Sequence, residues 1–184
     1  MKTTVRTHKI PGYGPTLRTA TRLTEQAVPV VNRAVAGTMP DVEVILTNER
    51  GMAELMAAAD VALAGALDRR TLANAERAAR KVARDIQANA IPRLDGSALL
   101  LIDVDKHPTP AEFALTIIHE LVHAMQFSRK GVLERCVANA RDRFRIERMS
   151  RRQAREHDRL LDQEEAEAYG HEYLANRIVP GAHP

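Results

Sequence analysis

The chain has 184 residues, 45% of them hydrophobic and 28% charged, with three Phe, three Tyr, no Trp and one Cys. That length suits a single domain, 1–184, and the balance is that of a globular chain rather than a disordered or fibrous one. A formal net charge of +3 is too small to name a polyanionic partner, and so few rings argue against a base-stacking nucleic-acid platform.

The lone Cys136 can form no internal disulfide. No apolar stretch approaches the roughly 18 residues of a membrane span, so the expectation is a cytoplasmic protein without membrane contact. Residues 1–15 read as an irregular N-terminal arm, punctuated by Pro11-Gly12-Tyr13-Gly14-Pro15. From 16 to 37 the pattern is helical, with Ala27, Val30, Val31, Ala34 and Val35 at helix-face spacing, Pro29 as a kink or split and Gly37 as the stop. Residues 42–46, Val-Glu-Val-Ile-Leu, read as a strand.

Residues 51–90 are Ala-rich and read as a helical insertion of unknown role, its second half striped by Leu72, Ala75, Ala79, Val82 and Ile86. The run at 98–104 is short, apolar and flanked by turns, which favours a buried strand. Thr109-Pro110-Ala111-Glu112 is a strong helix start, opening a helix to about Ser128. Two more helical segments, 132–148 and 153–178, follow. The expected fold class is α+β, with a small mixed or antiparallel sheet and many helices.

The chemistry sits in that capped helix, as His119-Glu120-Leu121-Val122-His123. Residues i and i+4 stack on one helix face, so both imidazoles can reach one metal ion. Glu120 lies on the adjacent edge, where it can touch a water bound to that metal. Zinc lowers the pKa of its water to about 7, and a neighbouring carboxylate can take the proton. A catalytic site needs a third protein ligand. Position 126 is Gln where a metzincin has Gly, position 129 is Arg where it has His, and Ser128 stands five residues after His123. The ligand therefore comes from elsewhere, and the best source is the acidic run Asp162-Gln163-Glu164-Glu165-Ala166-Glu167-Ala168-Tyr169. Small Ala166 and Ala168 would let this segment approach the helix of the motif.

With these two motifs the chain resembles the gluzincin class of zinc metallopeptidases, in particular its short, single-domain intracellular members. The resemblance covers about residues 98–174, by short motifs only. It implies an active-site helix and a glutamate helix, with Zn2+ as cofactor. Glu165-Ala166-Glu167-Ala168-Tyr169 matches the E-x-E-A-[DN] pattern and puts the third ligand at Glu165, with Glu164 as second choice. Tyr169 departs from the pattern, standing where the family often has an acid or amide that supports the site. The resemblance also implies that the strand before the active-site helix, here 98–104, forms the cleft's rim and pairs with an extended substrate. An oxyanion stabiliser is expected nearby, with Tyr169 and His171 as candidates and Tyr173 and His157 also available.

Cys136 reads as a buried, inert thiol. Asp103, Asp105 and His107 read as a turn. Eight arginines between 141 and 159 form a basic face. The expected function is a zinc-dependent metallopeptidase, with Glu120 as general base and a protein or peptide as substrate. The alternative is a regulatory binding protein that uses the 141–159 face for DNA or another acidic partner. In a third reading the HExxH motif is accidental and no metal binds.

Overall fold

A computed structural model of the chain describes residues 1–12, 14–65 and 68–184. Tyr13, Ala66 and Leu67, within the arm and the insertion named above, lie outside the described residues. The elements run β1 (Thr3–Thr7), α1 (Gly14–Ala34), β2 (Val42–Thr47), α2 (Glu49–Ala64), α3 (Arg69–Asp85), β3 (Ala88–Pro92), β4 (Ala98–Asp103), α4 (Pro110–Phe127), α5 (Val132–Arg143) and α6 (Arg151–His171). A 3-10 turn spans Val104–Lys106 and another, Glu172–Arg177, continues from α6. The architecture is α+β, with a mixed sheet in the order β1-β2-β4-β3. The pairs β1–β2 and β2–β4 are parallel, and β3 runs antiparallel to β4. No helix among the described residues is long and apolar enough to cross a membrane.

Side chains alternate across the sheet, as the two-residue strand period requires. Val42, Val44, Leu46, Ala98, Leu100 and Ile102 face α1 and α4. Ile45, Leu99 and Leu101 face α2, in a cluster that the alanines of α3 complete behind it. Every residue of β4 is buried, which is why the run reads as continuously apolar: it is a central strand with helices on both faces. The core thus lies in two layers, one on each side of the sheet.

Several expectations need correction. The arm is not wholly irregular, since Thr3–Thr7 pairs with β2 along its length. The insertion is two helices whose last residues, from Ala88, belong to β3. On α3 the buried stripe is Ala75, Ala79 and Ala83, while Leu72 and Val82 stay exposed. Small residues let α3 pack closely against α2, which lies on the sheet. Pro29 does not split α1. It removes a bond to the Glu25 carbonyl, and because both residues are exposed, water can take the place of that bond. The helix read as 132–148 stops at Arg143, and the last one begins at Arg151 under a Ser150–Gln153 capping box and ends at His171.

Around α4 the expectation holds closely. Thr109 accepts from the Glu112 N–H and Glu112 reaches back to the Thr109 N–H, closing the capping box above Pro110. That start sets the helix phase, and Ile117, Ile118, Leu121, Val122 and Met125 sink into the core. The HExxH residues are carried on the flank that remains.

Candidate metal centre

His119 and His123 come one turn apart on α4, with their Nε2 atoms 3.1 Å from each other. Glu165 reaches them from α6, its two carboxylate oxygens 3.5 Å from His119 Nε2 and 3.4 Å from His123 Nε2. One ligand atom from each of the three residues lies within 4.8 Å of the others. Ala168 is the small residue that brings α6 onto α4, since it is fully buried in the main core. Ala166 is exposed and plays no part in that approach. Glu164, the second choice for third ligand, is not in the cluster. Its carboxylate forms an ion pair with Arg135 of α5 instead.

The outer nitrogens of both imidazoles are held. His119 Nδ1 meets the Glu172 carboxylate at 2.9 Å, and His123 Nδ1 meets the Gln126 side-chain oxygen at 2.8 Å. A carboxylate only accepts, so His119 carries its proton on Nδ1. The Gln126 amide donates to the Glu164 carbonyl at 2.9 Å and to Glu167 at 3.1 Å, which turns its oxygen toward His123. Glu167 is fixed in turn by two bonds from Arg129. Both Nε2 atoms are therefore turned toward the Glu165 carboxylate.

Three lone pairs aimed at one point repel each other, and a cation among them converts that repulsion into attraction. Two imidazoles and a carboxylate, with the outer nitrogens buttressed, are a donor set that suits zinc. In the metal-free chain a proton on the imidazoles takes the cation's part. Burial opposes charge on His119 and His123, but the Glu165 and Glu120 carboxylates lift both above the ordinary imidazole value. Hydrogen bonds from those imidazoles hold Glu165 far below the usual carboxylate range.

Glu120 is buried, and burial raises its proton affinity against the opposing pull of His123 and His119. The backbone N–H of Ala90 in β3 donates to it. Its Oε2 is buried without any hydrogen-bond partner. An orphaned carboxylate oxygen at this depth is costly and needs a reason.

The site opens into a cleft of about 850 Å³. The rim strand is β3, not the 98–104 run. β4 is enclosed between β2 and β3, whereas Asn89, Ala90 and Ile91 line the cleft beside His119 and Glu120. Asp103 N–H donates to the Gln87 carbonyl and Arg93 N–H to the Ser97 carbonyl. By the antiparallel alternation, Asn89 and Ile91 also bond toward β4. That leaves the N–H and carbonyl of Ala88 and the carbonyls of Ala90 and Pro92 directed to the free edge, while the Ala90 N–H on that edge is given to Glu120. Proline lacks the N–H and so is tolerated there.

Of the oxyanion candidates, Tyr169 packs its ring edge-on against His119 with centroids 4.7 Å apart and lines the cleft. His171 is not among the residues lining it. Its Nδ1 donates to the Glu167 carbonyl, and its ring stacks on Tyr173. His157 does line the cleft. Sequence reasoning missed Glu172 and Gln126. The signal available for both was helical spacing, seven residues after Glu165 and three after His123.

On the basic face, Arg141, Arg143, Arg148 and Arg159 have acidic partners within the chain, in Glu147, Asp60, Asp142 and Glu156. Cys136 is half-buried, and the fold pushes its thiol up to about 11. No known family, curated protein or solved structure matches this chain.

Proposed function

We propose that the chain is a zinc-dependent metallopeptidase, with His119, His123 and Glu165 holding the ion and Glu120 as general base. The observation that carries this reading is the convergence of three lone-pair donors beside a buried, unpartnered carboxylate oxygen at the edge of a sheet. A zinc ion held by two imidazoles and a carboxylate supplies a Lewis acid that makes water nucleophilic near neutral pH.

The chain's own residues supply the rest. Glu120 takes a proton at Oε2 and can pass it to the leaving amine, while the Ala90 N–H holds the carboxyl group in place. The free edge of β3 supports an extended peptide as substrate, added as a further strand along the cleft. Glu172 and Gln126 hold each imidazole in the tautomer that presents Nε2 inward.

The alternative, a binding protein working through residues 141–159, draws less support. Half of that face's arginines are already neutralised within the chain.

The deciding experiment is elemental mass spectrometry of the purified protein, dialysed against zinc and then against buffer, with cleavage of a quenched fluorescent peptide pool alongside. The expected result is one zinc per chain in the wild type and in Glu120→Gln, and none in His119→Ala. Cleavage should fall by roughly 10²–10⁴ in Glu120→Gln. A wild-type protein that retains no zinc would overturn the reading.

A further inference from the structure

The α6 wall of the cleft carries more than the third ligand. His157, Leu161 and Glu165 are spaced i, i+4 and i+8, so they share one face of α6, and all three line the cleft. At about 1.5 Å per residue, His157 stands roughly 12 Å along the helix from Glu165. That distance is three to four residues of extended peptide at about 3.3 Å each.

Two large apolar side chains on the same cleft remain in water, Leu161 at 43% and Val82 of α3 at 46% exposure. Such residues, gathered in one concave surface, mark a place where an apolar group is received.

The state of His157 follows from Arg135. The guanidinium pairs with Glu164 through one nitrogen and with His157 Nδ1, at 3.3 Å, through the other. Arginine donates and does not accept, and it keeps its proton. His157 Nδ1 is therefore the acceptor, and the ring's proton sits on Nε2. Burial, and then the Arg135 charge, hold the ring's proton affinity below the ordinary value, so it is the neutral form that faces the cleft. Nε2 has no protein partner among the described residues. Glu164 cancels the charge of Arg135, and both side chains are largely enclosed. The group on offer is thus a neutral N–H donor in an electrically balanced setting, which suits a neutral acceptor such as a peptide carbonyl better than a carboxylate.

We propose that His157 is a substrate-binding residue: its Nε2–H receives a main-chain carbonyl of an extended peptide, three to four residues from the scissile bond, and Leu161 and Val82 flank an apolar side chain in between. Arg135 is the positioning residue that fixes the tautomer. This inference rests on the peptidase reading and assigns that site a substrate class, peptides with an apolar residue near the bond cleaved.

The test uses the zinc-loaded Glu120→Gln protein, which binds without cleaving, and a panel of fluorescein-labelled dodecapeptides with Ala, Leu or Phe near the centre. Fluorescence anisotropy should show Leu and Phe peptides binding more tightly than Ala peptides, a preference that Leu161→Ala reduces. Adding His157→Ala should weaken binding about five- to tenfold, with zinc content and far-UV spectrum unchanged. His157→Gln, whose amide nitrogen falls near the Nε2 position, should recover most of that loss. Nitrogen-15 NMR of the histidines should find His157 protonated on Nε2, and no longer held so in Arg135→Met. Peptide binding indifferent to His157, no rescue by Gln, or a proton on Nδ1 would overturn the assignment while leaving the peptidase reading intact. No peptide binding by a zinc-loaded protein would overturn both.

Discussion

Glu172 accepts a hydrogen bond from His119 Nδ1 at 2.9 Å, from a position seven residues beyond Glu165. It thereby fixes the imidazole's tautomer and turns Nε2 toward Glu165. Tyr169 covers the imidazole with its ring, while the carboxylate comes from the first residue of the 3-10 turn after α6. Glu172→Ala should weaken zinc binding by about ten- to a hundredfold. Glu172→Gln should lose less, because its amide oxygen still accepts from Nδ1. Competition with a chromogenic chelator measures both. Equal affinity in all three proteins would show that Glu172 does not support the ligand.

Glu164 and Glu165 are neighbours with separate duties, and substitution should separate them. Glu165→Ala should abolish zinc retention. Glu164→Ala should retain zinc, yet lower stability by about 1–3 kcal/mol, because it leaves the largely buried Arg135 guanidinium without its carboxylate. Zinc content and chemical denaturation of the metal-free proteins give the two readouts. The reverse pattern would move the third ligand to Glu164.

Gly51 sits in the first turn of α2, where its Cα passes against the side chain of Thr47 at the end of β2. A Cβ there would overlap the Thr47 hydroxyl, which donates to the His8 carbonyl at 3.0 Å and ties the chain after β1 to β2. Gly51→Ala should destabilise the fold by about 1–3 kcal/mol despite alanine's better helix propensity. A thermal melt should show a lower midpoint. Combining it with Thr47→Ala, which removes the overlapping atom, should recover part of the loss.

Burial raises the Cys136 thiol to about 11, with Arg135 opposing and Glu164 reinforcing the shift. The thiolate is the disfavoured form in the fold, so alkylation by iodoacetamide at pH 8 should run roughly a hundredfold slower than in the guanidinium-unfolded chain. The sign for stability follows. The unfolded thiol ionises near its ordinary value of 9.0, so this contribution is complete below that pH and declines as pH rises from there toward 11. Rapid labelling of the native protein at pH 8 would contradict it.

The strands divide by their place in the sheet. β2 and β4 are central or nearly so, rich in β-branched or large aliphatic residues, and readable from sequence. β1, Thr-Thr-Val-Arg-Thr, and β3, Ala-Asn-Ala-Ile-Pro, are edge strands. Each has little apolar surface to bury, and Asn and Pro have low strand propensity. Nothing local distinguishes Ala88–Pro92 from the end of the alanine-rich helix before it, so this edge strand is not legible in the sequence. Val82 shares a helical stripe with the core alanines, but its side chain is exposed and lines the cleft.

By itself the sequence determined α4, the helix that carries the HExxH residues. Thr109, Pro110 and Glu112 start it, and covalent geometry then places His119 and His123 one turn apart whatever surrounds them. Glu120 follows from the same phase. Tertiary structure alone decided which of four acids joins the histidines, because that depends on the depth at which Ala168 seats α6 against α4. It also decided that Glu172 holds His119, that the Glu164 carbonyl and Glu167 turn the Gln126 oxygen toward His123, that β3 borders the cleft, and that Arg135 sets the proton on His157. Spacing along one helix is local and rigid. The meeting of residues 22 to 53 positions apart is set by packing, which no local pattern records.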